Sequence, residues 1–429
     1  MATISDAHLD GRKPTQRSGR TLSTIWTAVS IPLLILLFSA VVALAILYAV
    51  SLSEGDKAQK SDQKSADWLE YPTSSLGVVG RDILVQGGNA VDAAIAATVC
   101  SGVVNPQSCG IGGGHFMTIY DRTQRCHVID ARERAPLAAH RDMFNGSDAS
   151  STDGWASIGV PGEIHGLFTA FKRFGSGNAP WRRLVTPSLA LLQAGIPVSP
   201  HMAMALERRK ADVANQPSLH IFIDPATGQV YKAGDVFKRP TFERTLARLA
   251  NATDAIELFY KGDMMRETLA EFKENKESIM TERDFKTYES VVRSENAIIQ
   301  SDIQKFAFAQ RSKFGDSDVV DGALQLARRV SSAEWARETA ARIGARALRS
   351  AAAYLVGEGG SAAVEDHGTT HISVVDAHGN GVGITSTVNT YFGSKRRSNS
   401  TGIIWNDTMD DFASPNVSNT FDYPPSPTN

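Results

Sequence analysis

The chain has 429 residues, 42% of them hydrophobic and 21% charged, which excludes a disordered chain and leaves enough apolar side chain for a sizeable core. A formal net charge of −2, with no dominant basic block, excludes nucleic acid as a partner. The three cysteines Cys100, Cys109 and Cys126 show no CxxC spacing, which excludes a zinc cluster and a disulfide framework; at most one bridge within the chain is left open, and no pairing is assigned.

In chain order, residues 1–20 form a tail carrying Arg12, Lys13, Arg17 and Arg20. Residues 21–53 hold no charge, and Ile25 to Val50 is a nearly continuous apolar run. A helix of ~20 apolar residues crosses a bilayer core, so the run reads as an uncleaved transmembrane signal-anchor. It is too uniformly apolar for an ordinary core helix, and longer than the roughly 7–15 residues of a signal-peptide core. Basic residues precede it; Glu54, Asp56, Asp62, Asp67 and Glu70 follow it. That asymmetry predicts a cytoplasmic N-terminus and an extracellular remainder, a single-pass type II protein of the plasma membrane. Acceptor triplets at Asn145, Asn251, Asn399, Asn406 and Asn416 fit a glycoprotein on that side.

After a polar stalk at 54–66, the ectodomain reads as mixed α/β. Asn89 is a candidate N-cap, with Asp92 in the first turn, for an Ala-rich helix over Ala90 to Val104. The glycine cluster that follows, Gly110-Ile-Gly-Gly-Gly114, precedes a β-rich segment, Phe116 to Tyr120. A dinucleotide loop needs a helix at that place, so the glycines predict a tight turn with close backbone packing. Helical patterns cover 181–195, 240–275 and 333–356, punctuated by Pro161-Gly162, Gly195 and Gly262. Beyond a loose stretch from Gly357 to Gly368, the pattern changes to period two. His371 to Val375 and Val382 to Ser386 are short strands, with turn residues Asp376 to Asn380 between them. The change makes residue 369 a boundary between segments 67–368 and 369–429.

A threonine hydroxyl needs an adjacent base to act as a nucleophile, and one solution is the threonine's own α-amine at the start of a chain. Asp366-His-Gly-Thr-Thr370 has what such a start would need. Gly368 gives the peptide bond between it and Thr369 the freedom to take a strained geometry, in which the Thr369 hydroxyl can attack the Gly368 carbonyl. Taken alone, the signal is weak, and Gly-Thr-Thr before a strand is more often just the start of that strand.

Several segments, in order along the ectodomain, resemble the γ-glutamyltransferase (glutathione hydrolase) family. They are Gly87 to Ala97, Gly110 to Gly114, Asp130-Ala-Arg-Glu-Arg-Ala-Pro136, Val160-Pro-Gly-Glu163, Thr369 to Val375, Thr385-Ser-Thr-Val-Asn389, Tyr391-Phe-Gly-Ser394 and Met409-Asp-Asp-Phe412. The resemblance implies an N-terminal-nucleophile hydrolase fold, an αββα sandwich of two sheets between helical layers. It implies a precursor cut between Gly368 and Thr369 into large and small subunits. Thr369 is then the nucleophile, supported by Thr387. Arg132 grips the α-carboxylate of a γ-glutamyl group, which suits its planar fork. Asn389 and Asp411 hold the α-amino end. The implied reaction transfers the γ-glutamyl group of glutathione, or another γ-glutamyl compound, through a threonyl ester to water, an amino acid or a dipeptide, with no cofactor.

The match departs in three places. Segment 369–429 is shorter than the family's small subunit and lacks its Pro-Leu-Ser-Ser and Gly-Gly segments, so the sandwich is expected to be incomplete. Between Tyr288-Glu-Ser-Val-Val-Arg293 and Ile303 to Arg311 a family stretch is missing. Thr408 stands where the family usually has Glu or Gln contacting the substrate's amino group. Two further readings follow: a catalytically inactive, membrane-tethered homologue, and another acylase of the same superfamily. The residues Arg132, Asn389 and Asp411 weigh against the latter, because they suit a free amino-acid end.

Overall fold

The computed structural model describes residues 72–123, 125–140, 142–144, 150–295, 322–330, 332–341 and 368–411. Residues 1–67 form a unit of their own. The tail, the anchor at 21–53 and the stalk lie outside the described residues, as do Asn145, Asn416, Phe412 and the segment 303–316. Among the described residues, no helix is long and apolar enough to cross a membrane.

Two helices open the second unit: α1 (Pro72–Val85) and α2 (Ala90–Val104). The predicted cap on α2 is a full capping box. The Asn89 side chain accepts from the amides of Val91 and Asp92, and the Asp92 carboxylate accepts from the Asn89 amide. Such a cap is worth ~1 kcal/mol. Every residue of α2 is buried, which explains its composition: a helix enclosed on all sides needs small apolar side chains rather than an amphipathic stripe.

Strands β1 (Gly114–Asp121) and β2 (Arg125–Ala131) follow, then α3 (Glu163–Phe174) and α4 (Trp181–Ala194). Next come β3 (Ile196–Pro197), α5 (Pro200–Arg208), α6 (Lys210–Asn215), β4 (Val236–Phe237), α7 (Pro240–Ala250), α8 (Asp263–Lys273), α9 (Glu282–Lys286) and β5 (Val291–Glu295). The last elements are α10 (Ala323–Val330), α11 (Ala333–Ala340), β6 (Thr369–Val375) and β7 (Gly381–Thr387). The predicted helical stretch 240–275 is not continuous. Asn251 ends α7 and turns its amide back onto the Ala247 carbonyl, Asp254 caps the turn that begins a short π-helical segment (Glu257–Lys261), and α8 starts afresh from Gly262.

Five strands make one antiparallel sheet in the order β5-β2-β1-β7-β6, and β3 and β4 form a separate two-stranded ribbon. Alternation along the strands divides the sheet into two faces. Met117, Ile129 and Ile384 are buried on the face covered by α2 and α3. Phe116, Tyr120 and Val375 are exposed on the other. The architecture is mixed α/β, and among the described residues the expected sandwich contributes this one large sheet.

Candidate active site

The hairpin β6–β7 builds the first part of the site. Its turn is held by Asp376, whose carboxylate accepts from the amides of His378 and Asn380, the side chain of Asn380 and the amide of Ala90 at the start of α2. Burial raises the Asp376 carboxyl, but these donors outweigh it and hold the group below its ordinary value. The hairpin is thereby fixed to α2, and the register that follows pairs Thr369 with Thr387.

Both threonines lie on the exposed face of the sheet. The Thr369 hydroxyl donates to Thr387 Oγ1 at 3.4 Å, and Thr387 Oγ1 donates to the Gly368 carbonyl oxygen at 3.3 Å. These are long bonds, of the kind that tighten when a reaction draws on them. Gly368 has φ +112°, which favours glycine. Thr387 Oγ1 also accepts from the amide of Asn389 at 2.9 Å. Asn389 is left-handed at φ +80°, and its side chain donates to the Asp407 carbonyl.

Close backbone packing brings the glycine turn under this hairpin. A Cβ on Gly112 would fall 2.1 Å from the Ile404 carbonyl oxygen, and one on Gly113 would fall 1.9 Å from that of Thr387. The Gly113 carbonyl accepts the amides of Gly162 and Glu163, so the same turn also seats α3.

The second part of the site is charged. Arg132 leaves the end of β2 with its carbonyl held by the Tyr288 hydroxyl. Its Nη2 meets Asp411 Oδ2 at 2.7 Å, and its Nη1 lies 3.3 Å from Glu133 Oε2. Burial opposes the guanidinium's charge, but Glu133 and Asp411 outweigh it and leave the group above its ordinary value. Burial pushes the Glu133 carboxyl up against the pull of Arg132. Thr408 is buried and donates its hydroxyl to Glu133 Oε1 at 2.9 Å. Asp410 and Asp411 sit with it on a 3₁₀ turn (Thr408–Asp411), where Asp410 accepts from Ser151.

The two parts meet at Asp407, whose backbone carbonyl holds Asn389 and whose neighbour is Thr408. Its carboxylate accepts from the amide and hydroxyl of Thr390, and Lys395 Nζ lies 3.6 Å away. Burial pushes the Asp407 carboxyl up to about 7 in spite of that lysine.

The structure thus joins Gly368, Thr369, Thr387 and Asn389 in one cluster and Arg132, Thr408 and Asp411 in an adjoining one. Asn406 is corrected as a glycosylation acceptor. It is fully buried, its amide donating to the carbonyls of Gly112 and Gly159, because it ties the glycine turn to the segment at Gly159. Asn251 and Asn399 are exposed. Cys100, Cys109 and Cys126 are buried. Sequence reasoning missed Glu133, although it adjoins Arg132 in a segment already singled out. It also missed Ser108, and it named Tyr391 only within a family segment, whereas both lie beside Gly368.

A mixed α/β fold that sets a threonine at the first position of a sheet strand, beside a second threonine, has the build of an N-terminal-nucleophile hydrolase. The family model for gamma-glutamyltranspeptidase matches residues 77–301 and 295–429, and the chain belongs to that family. It is 36% identical over 399 residues to Scoloptoxin SSD14 from Scolopendra dehaani, covering 82% of this chain and 68% of that one. It is 31% identical over 384 residues to Glutathione hydrolase 2 from Arabidopsis thaliana, covering 79% of this chain and 65% of that one. The chain therefore spans about two thirds of the length of these relatives. Its fold is like that of Helicobacter pylori gamma-glutamyltranspeptidase, with a TM-score of 0.53, 23% identity, and coverage of 65% of this chain and 92% of that one.

Proposed function

We propose that the chain is a γ-glutamyltransferase and glutathione hydrolase precursor that cuts itself between Gly368 and Thr369 and then uses Thr369 as its nucleophile. The observation that carries this reading is the hydroxyl chain from Thr369 through Thr387 to the Gly368 carbonyl oxygen. It sets the attacking group, a proton path and the bond to be cut in one line of contacts. After the cut, the α-amine of Thr369 accepts the proton of its own hydroxyl, and the oxygen attacks the γ-amide carbonyl of glutathione or another γ-glutamyl compound. Cysteinylglycine leaves from glutathione. The γ-glutamyl ester then passes to water, an amino acid or a dipeptide. No metal or organic cofactor enters these steps.

Arg132 and Asp411 support the substrate assignment. Each neutralises the other at 2.7 Å. A free α-amino acid end carries both charges, so its carboxylate replaces Asp411 at Arg132 while its ammonium replaces Arg132 at Asp411, with Asn389 beside it. Neither protein charge is stranded in the exchange. In the αββα sandwich of this reading, the exposed face carrying Thr369 is an inner face. The apolar run 21–53 anchors the protein in the plasma membrane with its ectodomain outside.

The second reading, a homologue without turnover, has one observation in its favour: the Thr408 hydroxyl is spent on Glu133 rather than offered to a substrate. The two are separated by expressing the full chain beside Thr369→Ala and measuring mass and N-terminal sequence. A fragment that begins Thr369-Thr-His, absent in the variant, supports the enzyme, and turnover of a γ-glutamyl anilide then completes the case. A folded but uncut chain in both samples refutes maturation.

A further inference from the structure

Two side chains, Tyr391 and Ser108, lie beside Gly368. A methyl group built on Gly368 would meet Cδ1 and Cε1 of Tyr391 at 2.8 and 2.9 Å, and the Ser108 hydroxyl oxygen at 3.5 Å. Tyr391 is fixed from outside: its hydroxyl bonds His201 Nε2 at 3.0 Å, and His201 Nδ1 bonds the Gln107 side-chain amide at 3.2 Å. Ser108 is fixed by its backbone. Its amide donates to the Asn105 carbonyl, and its carbonyl accepts the amide of Val388, the residue after Thr387. Its hydroxyl is buried and has no hydrogen-bond partner among the described residues. A buried hydroxyl left without a partner is costly, and a catalytic role is one account of such a group.

We propose that the Ser108 hydroxyl is a second donor, beside Thr387, to the Gly368 oxygen during the cut before Thr369; this rests on the maturation reading above. The cut has two tetrahedral species, and as each forms, negative charge develops on that oxygen before a proton reaches it. In the first step Thr369 Oγ bonds the Gly368 carbonyl carbon, and its proton passes by way of Thr387 Oγ1 to the carbonyl oxygen. The bond from that carbon to the Thr369 nitrogen then breaks. The proton moves to the departing amine as the carbonyl re-forms, leaving an ester. In the second step a water oxygen adds to the ester carbon and the bond to Thr369 Oγ breaks. One water proton returns to Thr369 Oγ, and the hydroxyl stays on Gly368 as part of its carboxyl group. One peptide bond and one water are consumed, and no electron is transferred. Thr387 has a single hydroxyl hydrogen, engaged in the proton path, so a separate donor is needed to meet the charge itself.

The test is the rate at which newly made full chain acquires an N-terminal Thr369, followed by mass spectrometry in a cell-free synthesis. Ser108→Ala should slow the cut by ~10²–10³, the usual effect of losing one such donor. Its Tm should stay the same or rise, since only an idle hydroxyl is lost. Ser108→Cys, which keeps a weak donor, should recover part of the rate. If wild type cuts and Ser108→Ala cuts equally fast, this proposal is overturned and the maturation reading stands. A slow Ser108→Ala with a lowered Tm also overturns it, because Ser108 is then structural. A folded wild type that never cuts removes the maturation reading and this proposal together.

Discussion

Replacing Gly113 by alanine isolates the packing on which the site rests. Gly113 does not have a positive φ, so alanine meets no backbone strain there. The obstacle is steric: the new Cβ would lie 1.9 Å from the Thr387 carbonyl oxygen, 2.9 Å from its carbon and 3.1 Å from Val388 Cγ1. Relief to an ordinary contact requires a movement of roughly 1.5 Å. Overpacking usually costs 1–3 kcal/mol. Here the struck atom is backbone next to the β1–β7 ladder, so no rotamer change relieves it, and a cost of about 3 kcal/mol or more is expected. The control is Gly77→Ala in α1, where nothing lies within 4 Å of the new Cβ. That change should stabilise the chain by about 0.5–1 kcal/mol through helix propensity. Urea unfolding followed by tryptophan fluorescence measures both, with equal m-values as the condition for comparison. If the two variants fall within about 0.5 kcal/mol of each other, the argument from close approach is wrong.

Asp411→Asn removes the charge that faces Arg132 and the expected substrate ammonium. KM for a γ-glutamyl anilide should rise ~10–100-fold, equivalent to one lost charged hydrogen bond, with a smaller change in kcat; an unchanged KM would take Asp411 out of the binding site. A pH experiment addresses Asp407, which burial moves from 3.8 up to about 7. Between these values the folded chain holds more protons than the unfolded one, so this group's contribution to stability falls as pH rises from about 4 to about 7. Asp407→Asn does not titrate. The Tm of the variant minus that of wild type should therefore grow across this range and level off above it, whereas a constant difference refutes the shift.

Much of the hairpin was legible because its information is local. With the turn at Asp376 to Asn380, Val375 faces Gly381, and counting back along both strands places Thr369 opposite Thr387. Helix α2 was equally readable from Asn89, Asp92 and the alanine run. The break within 240–275 was legible only in part: Gly262 marks the start of α8, but a helical pattern persists on both sides of Asn251 and Asp254, whose local bonds end α7 and begin the next turn. The charged cluster needed tertiary structure. Arg132 and Asp411 are separated by 279 positions, and Glu133 gains its place only when Thr408 folds over it. The family resemblance named Arg132 and Asp411 but said nothing of their pairing. No local pattern in the sequence marks Ser108 or Tyr391 as neighbours of Gly368.

The strand order has a consequence for what a break before Thr369 would produce. Among the described residues, strand β6 lies at the edge of the sheet, but β7, which also follows that position in sequence, lies between β6 and β1. The break falls just outside the first ladder pair, so no hydrogen bond of the sheet is lost by it. The two pieces would share one sheet through seven aligned residue pairs between β1 and β7. They could part only by unfolding, and dilution alone would not separate them. Their association would behave as a folding equilibrium whose chain connection had been removed after it had served to guide assembly.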